Sequence, residues 1–174
     1  MIILDIDGVL TVKETGVNIN TKMTDAEIKD RINNAKPARQ GFALLNSFLM
    51  GFVYMFHCIE AKNDALAWQQ IGFLTGRKKS EYYEATKRLF TQWAMSQGLH
   101  GSFVEYAMSR IMWCPENLGY KDPMEYFIMK ENKLKEVLIV ELVILYVDDD
   151  RKLVDYLNNL KVIGIKSIHF ESKE

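Results

Sequence analysis

The stretch Met1–Thr11, M-I-I-L-D-I-D-G-V-L-T, constrains this chain more than any other. Ile2, Ile3 and Leu4 form an unbroken apolar run that ends in Asp5, with Asp7 two residues on and Gly8 behind it. Such a run, without alternation, predicts a short strand buried on both faces, the kind found in parallel sheets. Sheets of that kind gather their ligands at the carboxyl ends of the strands, where Asp5 and Asp7 fall. Residues i and i+2 of an extended chain point to one side. Two carboxylates then face one spot at the rim of a hydrophobic sheet, and their repulsion raises the pKa of one of them. A bound divalent cation removes that conflict. Taken alone, D-I-D-G also reads as a strand end followed by an Asp-Gly turn, so the downstream sequence has to decide.

Downstream, strand and helix patterns alternate. Residues 12–37 are polar. Thr24 followed by Glu27 makes a capping-box pattern, so a helix is expected from about Asp25, with Ile28 and Ile32 as its apolar stripe. It should stop near Asn33-Asn34, before Pro37. Ala38–Ala65 reads as helical and is apolar all round between Phe42 and Phe56, the mark of a buried helix. Gln69–Leu74 reads as the second strand and Lys79–Gln97 as a long helix with Tyr82, Leu89, Phe90 and Trp93 on one face, stopped by Gly98. Arg110–Cys114 is the expected third strand. Pro123–Val137 is the next helix, with Asp122 as N-cap and Pro in the first turn. Val140–Val147, Arg151–Leu160 and Ile163–Phe170 follow as strand, helix and strand, and the tail Glu171–Glu174 is expected to fray. This alternation predicts an α/β fold in one domain spanning 1–174. Its parallel sheet should hold about five strands, with helices on both faces and a small helical insert after the first strand.

Composition narrows the setting. With 174 residues, 48% of them hydrophobic, the chain can bury a sizeable core. A formal net charge of −1 argues against a surface coated in basic charge for non-specific nucleic-acid binding. Arg77, Lys78, Lys79, Lys87 and Arg88 nevertheless outnumber Glu81 and Glu84 over Arg77–Arg88, by default a solvated helix face, although Arg77–Lys79 should lie at the rim where the strands end. Cys58 and Cys114 stand far apart and outside any metal-ligand spacing. They read as buried thiols in a reducing, cytoplasmic compartment. The first core strand occupies the N-terminus, so no signal peptide is read there. The apolar run Gly41–Phe56 is too short and interrupted for a membrane span.

The motifs resemble those of the haloacid dehalogenase (HAD) superfamily. D-I-D-G-V-L-T matches that family's D-x-D-x-[TV]. Leu74-Thr75-Gly76-Arg77, a lysine on a later helix and Val147-Asp148-Asp149 follow in the family's order. The resemblance implies a Rossmann-like HAD fold, with residues 12–37 as a small flap or cap and an open site suited to a bulky substrate. It implies a Mg²⁺-dependent phosphomonoesterase in which Asp5 attacks phosphorus to give an aspartyl-phosphate. Asp7 would serve as general acid and then base. The implied metal ligands are Asp5, the backbone carbonyl of Asp7 and the pair Asp148/Asp149. Asp150, the third acid of the run, reads as a helix cap, and which two of the three approach the metal stays open. Thr75 and the Gly76 amide would hydrogen-bond phosphoryl oxygens. Lys130 is the preferred motif lysine, with Lys121, Lys133 and Lys135 as competitors.

L-T-G-R followed by a helix carrying A-T-K-R-L-F-T-Q-W is similar to polynucleotide kinase 3′-phosphatase domains. There the arginine holds substrate phosphate, which maps to Arg77, with Lys78 beside it. That family also uses an aspartate one helical turn before the lysine, where this chain has Tyr126. No G-x-x-x-x-G-K-[ST] sequence is present, so no kinase half is read in these residues, and a kinase or ligase would be a partner or another part of a longer protein. The implied substrate is a nucleic-acid end or a nucleotide. The alternatives are a small phosphorylated metabolite, or an inactive HAD-like binding module.

Overall fold

A computed structural model describes residues 1–12, 23–58, 64–99, 101–118, 122–143, 145–160 and 165–173. The strands are β1 (Ile2–Asp5), β2 (Ile71–Lys78), β3 (Ile111–Cys114), β4 (Leu145–Asp148) and β5 (Lys166–His169). The helices are α1 (Asp25–Asn33), α2 (Arg39–Cys58), α3 (Asp64–Gln69), α4 (Lys79–Ser96), α5 (Gly101–Ser109), α6 (Pro123–Val140) and α7 (Arg151–Asn159). All strands are parallel, in the order β3-β2-β1-β4-β5. The fold is α/β and Rossmann-like. The first strand of the sequence lies at the centre, so the chain builds outward on both sides of it. That order puts a topological switch point at the carboxyl end of β1, beside Asp5.

The central strand β1 and most of β2 are buried on both faces, which is why the sequence there shows apolar runs rather than alternation, while the edge strand β5 is exposed at Lys166. Ile2 and Leu4 point into one layer with Phe42, Phe73, Phe90, Trp93 and Phe103 from β2, α2, α4 and α5. There Phe42 stacks on Trp93 at 4.7 Å between ring centroids. Met1 and Ile3 point into the opposite layer with Leu74, Phe127, Leu134, Leu153 and Leu157 from β2, α6 and α7.

Local signals set several boundaries. Thr24 and Glu27 form the capping box at the start of α1, Asp122 caps α6 and Asp150 caps α7. An isolated antiparallel bridge between Thr11 and Pro37 closes the base of the insert. Helix α1 lays Ile28 and Ile32 on Tyr82 and Ala85 of α4. The expected flap thus anchors on α4, while residues 13–22 of it lie outside the described residues.

Other boundaries differ from the sequence reading. The run read as one strand from Val140 is divided. Helix α6 continues to Val140, Ile139 and Leu142 are exposed, and β4 starts only at Leu145. A short apolar run carries no period that separates strand from helix. The long helix expected over Ala38–Ala65 stops at Cys58, and α3 then takes up Gln69, which was read as strand. Strand β2 runs on through Thr75, Gly76 and Arg77 to Lys78, which pairs with Cys114 across an irregularity in register. Helix α5 was not foreseen; Phe103, Val104, Ala107 and Met108 are its buried face. The final strand is shorter than expected at both ends. Gly164 lies outside the described residues.

The tail is not frayed at Ser172. That residue is buried, its N–H donates to the Gly8 carbonyl and its hydroxyl to the Val9 carbonyl. The same turn receives α2 at Gly41, where a Cβ would fall 1.7 Å from the Val9 carbonyl oxygen. A backbone oxygen cannot yield as a flexible side chain can. Gly41→Ala is therefore expected to destabilise the protein by about 1–3 kcal/mol, the usual cost of overpacking. A urea titration of the variant measures it, and an unchanged midpoint would count against the close approach.

Candidate active site

Asp5 ends β1 and pairs with Leu74, so Thr75 of β2 lies next to the peptide that follows Asp5. The chain then turns sharply. The amides of Leu10 and Thr11 both donate to the Ile6 carbonyl, and Gly8 donates to Thr11 Oγ1 at 3.0 Å. Gly8 has φ of +77°, and a Cβ there would sit 2.2 Å from Asp149 Cγ. Glycine is needed for both reasons, the left-handed backbone and the close approach of the Asp149 carboxyl.

Asp5, Asp148 and Asp149 each offer a carboxylate oxygen, and these lie within 4.8 Å of one another. Asp5 and Asp148 are almost fully buried. Lys130 reaches them from α6. Its Nζ donates to Asp5 Oδ1 at 2.7 Å and to Asp148 Oδ2 at 2.9 Å, and the side chain has no exposure to solvent. Burial pushes the Asp5 carboxyl well above its ordinary pKa; the ammonium of Lys130 opposes this, and the charges of Asp148, Asp149 and Asp7 add to it. Burial acts to lower the Lys130 pKa, but the Asp148 and Asp5 carboxylates outweigh it and hold the ammonium well above its usual value. Several negative groups facing one cation in a dry site leave negative charge unbalanced. Hard carboxylate oxygens at this spacing suit a divalent cation such as Mg²⁺.

The alternatives left open by the sequence separate here. Asp150 spends its carboxylate on the amides of Lys152 and Leu153, at 2.9 and 3.3 Å. Lys133 pairs with Glu136 and Lys135 with Glu131. Lys121 lies outside the described residues. Among the described lysines weighed for the motif, Lys130 is the one bonded to Asp5.

Asp7 sits on the turn, outside the cluster of three acids, and faces Arg77. The guanidinium Nε donates to Asp7 Oδ2 at 3.0 Å, and Nη2 donates to Oδ1 at 2.7 Å. Nη1 donates to Thr86 Oγ1 on α4 at 3.0 Å. Arg77, read as a substrate contact, is 1% exposed and serves to hold Asp7. Thr75 is buried and accepts the Arg77 amide at 3.1 Å. Gly76 faces the Tyr126 ring, which a Cβ would approach to 2.8 Å. Lys78 ends β2 with its ammonium 3.9 Å from Glu81. The insert reaches this rim as well. The Tyr82 phenol is pushed up to about 12 by burial and then by the carboxylates of Glu81 and of Asp25 at the start of α1.

No protein-family model, no curated protein and no solved structure matches the chain.

Sequence reasoning passed over Tyr146, whose hydroxyl joins Lys130 and Asp148, and the bond by which Thr86 anchors Arg77. For Tyr146 a signal existed: it stands two residues before Asp148 on one strand, hence on the same face. Cys114, a free thiol as expected, is buried and pushed up to about 11 by that burial, so it stays protonated and inert at neutral pH. Among the described residues, no helix is long and apolar enough to cross a membrane.

Proposed function

We propose that the protein is a Mg²⁺-dependent phosphomonoesterase of the HAD type. The observation that carries this reading is the meeting of Asp5, Asp148, Asp149 and Lys130 at the carboxyl end of the central strands. Asp5 attacks phosphorus, a P–O bond to the leaving group breaks, and an aspartyl-phosphate forms. Asp7 gives a proton to the departing oxygen, then takes one from the water that releases phosphate. Arg77 keeps the Asp7 carboxylate on the turn, aimed at the same rim. Thr75 and the Gly76 amide donate to phosphoryl oxygens, and Lys130 balances charge on nucleophile and phosphate. Asp5, Asp148 and Asp149, with the Asp7 carbonyl, would hold the ion. When bound, Mg²⁺ neutralises charge on the phosphate and on Asp5.

The favoured substrate is a nucleic-acid 3′-phosphate end or a nucleotide. One observation favours a second reading, a small phosphorylated metabolite. Arg77, the residue given to substrate phosphate in the end-repair enzymes, is buried against Asp7 and Thr86. The test is phosphate release from an aryl phosphate, with Mg²⁺ and with chelator, then from a 3′-phosphorylated oligonucleotide, 5′-nucleotides and sugar phosphates. Release only with Mg²⁺ and fastest from the oligonucleotide or nucleotides is the expected result. Equal or faster release from sugar phosphates selects the second reading, and no release from any ester defeats both.

The raised pKa of Asp5 gives a pH test. Between its unfolded and folded pKa values, a carboxyl raised on folding binds a proton in the folded chain that the unfolded chain has lost. Stability therefore falls as pH rises from the ordinary carboxyl range toward the raised value of Asp5. A cation binds the ionised form, so its affinity rises over the same window, with a proton released on binding. Urea titrations at stepped pH should show this fall in chelator, a smaller fall with Mg²⁺, and none attributable to this group in Asp5→Asn. A wild type and Asp5→Asn with parallel profiles in chelator would contradict it.

A further inference from the structure

Tyr146 leaves β4 on the same face as Asp148 and is fully buried. Packing asks only for a ring of that size, which phenylalanine would supply. The hydroxyl needs partners if its burial is not to be costly. It has them: the oxygen accepts from Lys130 Nζ at 3.0 Å, and the proton goes to Asp148 Oδ2. An ammonium has three donors. Those of Lys130 go to Asp5 Oδ1, Asp148 Oδ2 and the Tyr146 hydroxyl, with the Tyr126 side chain packed beside them. The Tyr126 ring centroid is 5.0 Å from the same nitrogen and that of Tyr146 is 5.7 Å away. Two carboxylates draw an ammonium between them but leave it free to rotate about that line. A third acceptor off the line fixes it.

We propose that Tyr146 is a positioning residue, its hydroxyl fixing the Lys130 ammonium between Asp5 and Asp148. It touches no reacting atom and acts through Lys130 and through the Asp148 carboxylate that shares the lysine. Its consequence for turnover rests on the phosphatase reading; the anchoring of Lys130 does not.

The test is Tyr146→Phe in the whole chain, with two readouts. In ¹⁵N-edited NMR, the wild-type Lys130 Nζ–H signal, assigned through its proximity to the two tyrosine rings, is expected to be visible at neutral pH. In Tyr146→Phe it should broaden away as exchange accelerates. In turnover, kcat should fall about 10–100-fold, the range for groups that orient a first shell, with KM within about twofold. An unchanged Lys130 signal in Tyr146→Phe overturns the proposal, whether or not the protein is a phosphatase. A lost signal with unchanged kcat overturns the positioning role. Loss of the signal in a protein whose wild type releases no phosphate defeats the phosphatase reading and leaves the anchoring intact. Should Tyr146→Phe fail to fold, 3-fluorotyrosine at position 146 is expected to move the Lys130 signal, and an unmoved signal would overturn the proposal.

Discussion

Asp5→Asn is expected to lower phosphate release by about 10⁴-fold or more, the scale seen when a nucleophile is removed. The substitution is nearly isosteric. The side-chain oxygen of Asn can still accept from Lys130, as Asp5 Oδ1 does at 2.7 Å. What disappears is the anion proposed to attack phosphorus and one of the three acids that lie together there. The fold should survive. In the metal-free protein the variant is expected to be as stable as the wild type or more so, because a buried acid crowded by Asp148 and Asp149 is gone. Steady-state rates and urea midpoints on the same preparation separate the two effects. A folded variant that keeps more than a tenth of wild-type turnover would remove Asp5 from the role of nucleophile.

Lys130→Met should have the largest effect on stability. Methionine fills much the same volume, but Asp5 and Asp148 lose their buried counter-ion. Removing one partner of a buried ion pair costs about 3–5 kcal/mol, since the remaining charge is left uncompensated. Here one ammonium serves two carboxylates and also a tyrosine hydroxyl. Protonation of Asp5 offers an escape at low pH, so the loss should be greater at pH 8 than at pH 5. Added Mg²⁺ should restore part of it, by supplying positive charge to the same oxygens. Turnover should be lost along with stability. Urea titrations at both pH values, with and without Mg²⁺, carry the test. A loss under 1 kcal/mol, independent of pH, would mean that the two carboxylates do not depend on this lysine.

Much of this arrangement could be read from the sequence, and the reason is local. Asp5 and Asp148 each end an apolar run, and a strand end on a parallel sheet is a fixed address. Thr24, Asp122 and Asp150 announce helix starts through bonds made within a few residues. What stayed hidden depends on contacts far along the chain. Nothing near Arg77 tells that its guanidinium meets Asp7, seventy residues earlier, because that choice is made by the packing of α4 and Thr86. Ser172 lies in a polar tail, and its burial follows from two carbonyls that the Gly8–Val9 turn leaves in need of donors. The division between α6 and β4 was unreadable for another cause. Ile139, Val140 and Leu142 are apolar but exposed, so hydrophobicity there does not report burial.

The most direct measurement is a crystal structure grown with Mg²⁺ and beryllium trifluoride, which mimics a phosphoryl group on a carboxylate. Beryllium bonded to an Asp5 carboxylate oxygen is the predicted result, with the ion held by Asp5 and by Asp148 or Asp149 and with Lys130 still on Asp5. A beryllium group on another residue, or an ion bound away from these acids, would contradict it.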